Sequence, residues 1–474
     1  MVRIIRLILI GLFLCLFLGA LFLSQPAQRF IDGGTYGSWY VGGIQVNEPD
    51  HKKWISCLKN HKLNTVSVTV YATQGRWDSS NLWFAESEPS VIHEIRAAKA
   101  KGLKVVLIPR VALDHAFSQN RDLWHGMIMP SSDEELTQWF EKYNAFLRKW
   151  AILAEQEGVD VMAVGSELKA LTHTLVQSDK VIAQEIKDFL YWYHHVPSRV
   201  HQAQGAPEKI REHYQDILQM SESYLKWAHK TYYLNDEKGE LKVQQRRERL
   251  GQHWSDSIGL VRQHFSGALT YAANFDAYHN NLLWSELDMM GINAYFKLRH
   301  HIGSISHEQL DETLYKSWKT VFQQMRKFRA SHKLDLKPVI FTELGYTSRE
   351  NTTVEPWSYT GKSVVEINET FQLVDWKNQS VSYVERHKAL LALKEVAMLP
   401  ENEFFRGLLY WKLSSIPEHD QIEPYVIYVG RDTVDPAMRC LRDFSTALSN
   451  PADRMLGREL SRKLFSSYTL PLDP

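Results

Sequence analysis

Val164-Gly165-Ser166-Glu167-Leu168-Lys169 and Phe341-Thr342-Glu343-Leu344-Gly345-Tyr346 decide how this chain reads. Each places one glutamate directly after an apolar run with the character of a buried strand. A helical segment precedes each run, 133–157 before the first and 308–331 before the second. A carboxylate at the end of a buried strand is costly to desolvate when unpaired. Two such endings in a chain that alternates strands and helices point to a parallel barrel with both glutamates on its C-terminal rim. That rim is where barrel enzymes place their chemistry. Two carboxylates facing each other there are the equipment for breaking a glycosidic bond.

The same alternation extends outward from the two glutamates. Glycine-rich residues 28–42 hold the linker and first strand. Valines alternating with small polar residues over Asn64–Tyr71 predict strand two. Lys104–Pro109 is strand three and stops at Arg110. Val159–Val164, Ala268–Ala273, Leu287–Ala294, Pro338–Thr342 and Gly407–Lys412 are strands four to eight. Helices are expected over 50–61, Ser90–Lys101, Asp133–Glu157, Trp254–His264, His307–Ser331, Ser382–Leu399 and Asp435–Leu448. The fold class is therefore α/β, a (β/α)8 TIM barrel spanning 28–450. Charged and aromatic residues 176–250 read as a helical insertion after strand four. Residues 345–380 read as a long loop, and 451–474 as a C-terminal tail.

The composition excludes some functions. The 474 residues carry 55 Lys+Arg against 55 Asp+Glu, so no basic face for nucleic acid is implied. Fifteen Trp, 21 Tyr and 20 Phe suit a sugar cleft, whose aromatic rings stack on pyranose C–H faces, but equally a large core. With three cysteines and no CxxC, no metal site or disulfide framework is expected, and no cofactor. Cys57 and Cys440, on the first and last helices, are expected to be neighbours where the barrel closes. Arg3 and Arg6 precede an apolar run, Leu7–Leu23, without a good cleavage site after it. Residues 1–27 thus read as a signal anchor, or a signal peptide. The first alternative makes the membrane a partner, and both place the barrel outside the cytoplasm, anchored or secreted.

Several separated stretches resemble glycoside hydrolase family 113, the mannan-degrading barrel family, over about 40–445. They are Trp124-His125-Gly126-Met127-Ile128-Met129-Pro130, Val159-Asp160-Val161 through Glu167-Leu168, and Leu269-Thr270-Tyr271-Ala272-Ala273-Asn274. Leu287 through Tyr295 follows, then Thr342-Glu343-Leu344-Gly345-Tyr346-Thr347-Ser348 with Pro356-Trp357. The resemblance implies Glu167 as acid/base and Glu343 as nucleophile, in agreement with the reading from the strands alone. Departures are Ser166 where the wider clan often has asparagine, Arg110 and Phe275 where the family often has histidine and tryptophan, and Lys412 after Trp411.

The expected activity is a retaining, endo-β-mannanase-like glycoside hydrolase that cleaves β-mannan or a related polysaccharide or oligosaccharide. The alternative is a catalytically silent, membrane-anchored barrel that binds glycan. Glu167 is expected to carry a raised pKa, since it must hold a proton at the first step. Tyr295 is expected to hydrogen-bond the Glu343 carboxylate, or else to be a core tyrosine. Trp411 would floor the central sugar site or pack in the barrel. Asn274 would bind a sugar hydroxyl or serve as a turn residue. Arg110 would contact sugar or pair with Asp114. Trp39, Trp77 and Trp357 are candidate rim platforms or packing residues. His125, a lone histidine, reads as structural.

Overall fold

The structure, a computed structural model, describes residues 38–120, 123–173, 237–359, 362–367 and 370–449. In chain order its strands are β1 (Tyr40–Gln45), β2 (Thr65–Gln74), β3 (Leu82–Phe84), β4 (Lys104–Leu113), β5 (Val161–Ser166) and β6 (Ala268–Asn274). β7 (Met290–Asn293), β8 (Val339–Leu344), β9 (Lys362–Ile367), β10 (Thr370–Asp375), β11 (Phe405–Ser414) and β12 (Ile427–Tyr428) follow. The barrel strands run β1, β2, β4, β5, β6, β7, β8, β11, all parallel, and β11 returns to pair with β1. This is the expected (β/α)8 barrel. It closes tightly at Gly42, which pairs with Thr65; a Cβ there would collide with the Thr65 carbonyl.

The longer helices are α1 (His51–Asn60), α2 (Pro89–Ala100), α3 (Asp133–Gln156), α4 (Glu237–His264), α5 (His307–Ser331), α6 (Val384–Ala397) and α7 (Pro436–Ser449). Local sequence explains their limits. Ser132 caps α3 by accepting from the Glu135 N–H, and three acidic residues complement its positive end. Its apolar stripe (Leu136, Trp139, Phe140, Tyr143, Phe146, Leu147, Trp150) is buried. Each such side chain contributes about 1.5–3 kcal/mol by leaving water. α5 starts with a reciprocal capping box between Ser306 and Gln309. In β2, Val66, Val68, Val70 and Ala72 form one buried face, and Thr65, Ser67, Thr69, Tyr71 and Thr73 form the other.

Some boundaries differ from expectation. Between β6 and β7 stand only the short helical turns Tyr278–Asn280 and Leu282–Ser285, so that crossover has no α-helix. The helix expected at Trp254 begins at Glu237, inside the insertion. The rest of the insertion, together with the N-terminal segment and the tail, lies outside the described residues. Among those described, no helix is long and apolar enough to cross a membrane. The loop expected over 345–380 contains an antiparallel hairpin, β9–β10. Apolar Val365, Ile367, Phe371 and Leu373 alternating with polar Glu366, Thr370 and Gln372 carry that period, yet no Asn-Gly-type turn announces it.

No disulfide joins Cys57 and Cys440, the pair expected to lie together where the barrel closes. Both thiols are free. Cys440 is buried and sees Lys394, Asp443 and Glu395, whereas Cys57 sees Lys53, Glu48 and Arg431. α7 packs on α6 as well as on β1.

Glu94 of α2 is buried at 4% exposure and accepts from Trp54 Nε1 (3.1 Å) and Gln45 Nε2 (3.2 Å). Burial raises its pKa from 4.5 to about 7, against the help of those two donors. The folded state therefore prefers the protonated carboxyl. This contribution is full below about pH 4.5 and is lost as pH rises through 7. The rise corresponds to about 3 kcal/mol as an order of magnitude. Glu94→Gln is therefore expected to gain stability relative to the parent between pH 5 and pH 8. Thermal unfolding curves of the two proteins that shift in parallel over that range would disprove it.

Candidate active site

The two glutamates stand at the C-terminal ends of the fourth and seventh barrel strands. Glu343 is the penultimate residue of β8, and Glu167 follows the last residue of β5. Glu343 is 5% exposed. Tyr295, two residues beyond β7, donates its hydroxyl proton to Glu343 Oε2 at 2.9 Å, the contact expected from the sequence. Burial, with the Tyr425 and Glu167 charges, holds the Tyr295 phenol pKa well above its ordinary value, so it keeps the proton it donates. Arg110 of β4 meets the other oxygen, Oε1. Asp114 instead caps its own loop by accepting from the Ala116 N–H at 2.9 Å, so the alternative Arg110–Asp114 pair is not formed.

Glu167 has φ 55°, the left-handed region, where a non-glycine residue costs on the order of 1–3 kcal/mol. The backbone is held there from both sides. The Glu167 N–H donates to the Ala272 carbonyl at 2.9 Å. The Leu168 N–H donates to the Tyr271 hydroxyl at 2.8 Å. The carboxylate Oε2 lies 2.8 Å from His125 Nε2. His125 sits in a short turn, His125–Met127, after β4. Gly126 permits that turn, because a Cβ would run into the Trp124 ring.

The expected raised pKa of Glu167 is corrected by these neighbours. Burial alone pushes the carboxyl up. The hydrogen bond and charge of His125, the Arg110 charge and the polar contact of Asn293 outweigh it, and the pKa falls to about 2. Asn293, the last residue of β7, is fully buried and accepts from Thr342 Oγ1 at 2.8 Å. The sequence reading took His125 as structural and gave Asn293 no role. Their signal was present, a histidine in the Trp124–Pro130 stretch and an amide at a strand end, but only the fold brings them to Glu167.

The other candidates divide. The Trp411 ring, on β11, has the Arg110 guanidinium and the Lys412 ammonium each 4.8 Å from its centroid. Lys412 also pairs with Glu423 at 3.1 Å. Asn274 accepts from the adjacent Phe275 N–H at 3.1 Å, the behaviour of a turn residue, and remains partly exposed. Trp357 is 42% exposed and stacks on Phe275, centroids 5.0 Å apart. Trp77 does not form a platform: it is 3% exposed, in the connection between β2 and β3. Trp39 precedes Tyr40, the first residue of β1, and so adjoins the strand end away from the rim. Among the described residues no cluster of His, Cys, Asp and Glu could hold a metal.

The profile of Glycoside Hydrolase Family 113 matches residues 35–190 and 212–388. The chain belongs to glycoside hydrolase family 113. Among solved structures, it is similar to the family-113 β-mannanase AaManA from Alicyclobacillus acidocaldarius in complex with ManMIm. The TM-score is 0.56 at 16% identity, covering 88% of this chain and 100% of that one. A second family-113 β-1,4-mannanase complex gives a TM-score of 0.54 at 16% identity, covering 86% and 99%. No curated protein sequence matches the chain. As a family-113 glycoside hydrolase, it carries both strand-end glutamates in one polar cluster. Arg110 touches Glu343 and acts electrostatically on Glu167.

Proposed function

We propose that the protein is a retaining glycosidase that cleaves a β-linked mannan or related glycan by double displacement. The observation that carries this reading is the division of labour around the two carboxylates. Glu343 is oriented by Tyr295 and Arg110, and Glu167 faces a histidine able to share a proton with it. The family's solved β-mannanases support mannan as the substrate class.

In the first step Glu343 attacks the anomeric carbon while Glu167 gives a proton to the departing glycosidic oxygen. A glycosyl ester on Glu343 and a free sugar hydroxyl result. In the second step Glu167 takes a proton from water, and the hydroxyl oxygen displaces Glu343 from the anomeric carbon. Arg110 balances the charge that Glu343 carries before attack and regains when it is displaced. The assay is turnover of an aryl β-mannoside, with NMR of the first-formed sugar. A product of inverted configuration would exclude the mechanism. Binding of glycan without turnover would instead favour the silent barrel, which the ionised state of Glu167 also suits.

With a carboxyl pKa of about 2, Glu167 alone lacks a proton at neutral pH. His125, whose Nε2 lies 2.8 Å from Glu167 Oε2, is the side chain placed to hand it one. Replacing His125 by alanine removes the hydrogen bond and charge that hold the Glu167 carboxyl pKa down, while Arg110 and Asn293 stay in place. The alkaline limb of kcat/KM is then expected to move to higher pH. An unmoved limb would show that His125 has no part in setting the proton affinity of Glu167.

The Arg3/Arg6 flank and the apolar run Leu7–Leu23 support action outside the cytoplasm from a membrane anchor. Recovery of protein free in the medium with a start near residue 28 would replace the anchor by a cleaved signal.

A further inference from the structure

We infer that Tyr71 and Trp83 form an outer platform of the catalytic cleft that binds a pyranose unit of the glycan beyond the two sugars joined by the scissile bond. The inference rests on the glycosidase reading and extends it to residues that no sequence motif marks. It begins with register. Tyr71 of β2 is the direct parallel partner of Arg110 of β4. In-register neighbours in a sheet put their side chains on the same face. Arg110 reaches Glu343, so that face looks into the barrel mouth. Thr73, two residues on, shares it, and Thr73 pairs directly with Trp83 of β3. Trp83 therefore faces the mouth as well, one strand further out.

The opposite face confirms the orientation. Phe84, next to Trp83, packs against Phe146 of α3 with centroids 5.3 Å apart. Gln74, next to Thr73, accepts from Trp139 Nε1 of the same helix at 2.8 Å. The helix side of this β2–β3 extension is thus occupied by Ala72, Gln74, Leu82 and Phe84, leaving Tyr71, Thr73 and Trp83 on the mouth side.

Tyr71 is 46% exposed and Trp83 42%, in a barrel whose other tryptophans are mostly buried. Neither ring stacks on another aromatic among the described residues. Exposed aromatics standing singly are ordinary. Two on one face, one of them in register with an arginine that touches a candidate catalytic carboxylate, form a continuation of the cleft floor. Their chemistry selects the occupant. A flat ring offers an apolar face to the C–H face of a pyranose, and the Tyr71 hydroxyl and Trp83 indole N–H offer polar edges to its hydroxyls. The patch is too small for a stable protein interface, which buries about 800 Å² per partner.

The test compares a long substrate with a short one. Mannohexaose and cellohexaose reach the platform, whereas an aryl β-mannoside does not. Changing Tyr71→Ala and Trp83→Ala together is expected to lower the kcat/KM ratio of hexaose to aryl glycoside about tenfold, mostly through KM. Tyr71→Phe with Trp83→Phe should restore most of the ratio, because the ring faces remain. An unchanged ratio in the alanine variant, or equal losses on both substrates, overturns the platform while leaving the glycosidase reading intact. Titration with each hexaose, followed by tryptophan fluorescence, separates the two ideas further. Hexaose binding that weakens in Trp83→Ala, in a protein that hydrolyses neither substrate, keeps the platform and removes the glycosidase reading. Absence of both hydrolysis and binding removes both.

Discussion

Glu343→Ala is expected to abolish glycoside turnover, with kcat falling by at least about four orders of magnitude. In the double-displacement reading this carboxylate bonds to the anomeric carbon, and loss of a nucleophile is among the largest single effects in enzyme kinetics. The site around it is built for one ionised group: Tyr295 donates to one oxygen and Arg110 meets the other. Removing the carboxylate leaves Arg110, 8% exposed, without that counter-charge, so the variant should also lose stability. Glu343→Gln controls for this, because it keeps the volume and still cannot attack. Sodium azide should restore part of the turnover of an activated aryl glycoside in the alanine variant, and the glycosyl azide formed should have inverted configuration. Retained activity in both variants would show that Glu343 is not the nucleophile, and the double-displacement reading would go with it.

Glu167→Ala is expected to produce a loss that depends on the leaving group. Hydrolysis of an unactivated glycan needs a proton at the glycosidic oxygen, so kcat/KM should fall about 100- to 10,000-fold. A dinitrophenyl leaving group needs none, and its departure should be slowed far less. The second step then becomes limiting, because water has lost its base. A burst of phenolate followed by slow turnover should appear, and azide should accelerate that slow phase and give a product of retained configuration. The opposite azide stereochemistry in the two alanine variants assigns the two roles independently of any rate. Equal losses on activated and unactivated substrates in Glu167→Ala would mean that the residue organises the site and transfers no proton. His125 adds a second reading of the same residue, since its removal alters the proton supply and leaves the Glu167 carboxylate in place.

What the sequence by itself determined follows from periodicity and composition. Valine alternation in β2, the apolar stripe of α3 and the Ser306–Gln309 cap are local rules, so their elements could be read within a few residues. The two glutamates could be read because a charge at the end of an apolar strand is conspicuous, and the order of strands places the fourth and seventh across the barrel mouth. The same local reading missed the β9–β10 hairpin, in which no turn signature stands out. It also gave Trp77 and Trp39 a role that burial and chain position do not support. The Tyr295–Glu343 contact was already expected from the strand ends. Tertiary structure alone decided what else each carboxylate touches. Arg110, His125 and Asn293 come from separate strand ends and loops, and no spacing in the chain encodes their meeting at two carboxyl groups. The sign of the Glu167 pKa shift illustrates the reason. Burial, the part that an apolar strand suggests, pushes it up, but the charges and donors that fold against it push it further down. A through-space balance of that kind depends on distances between residues far apart in sequence, which exist only once the barrel has closed.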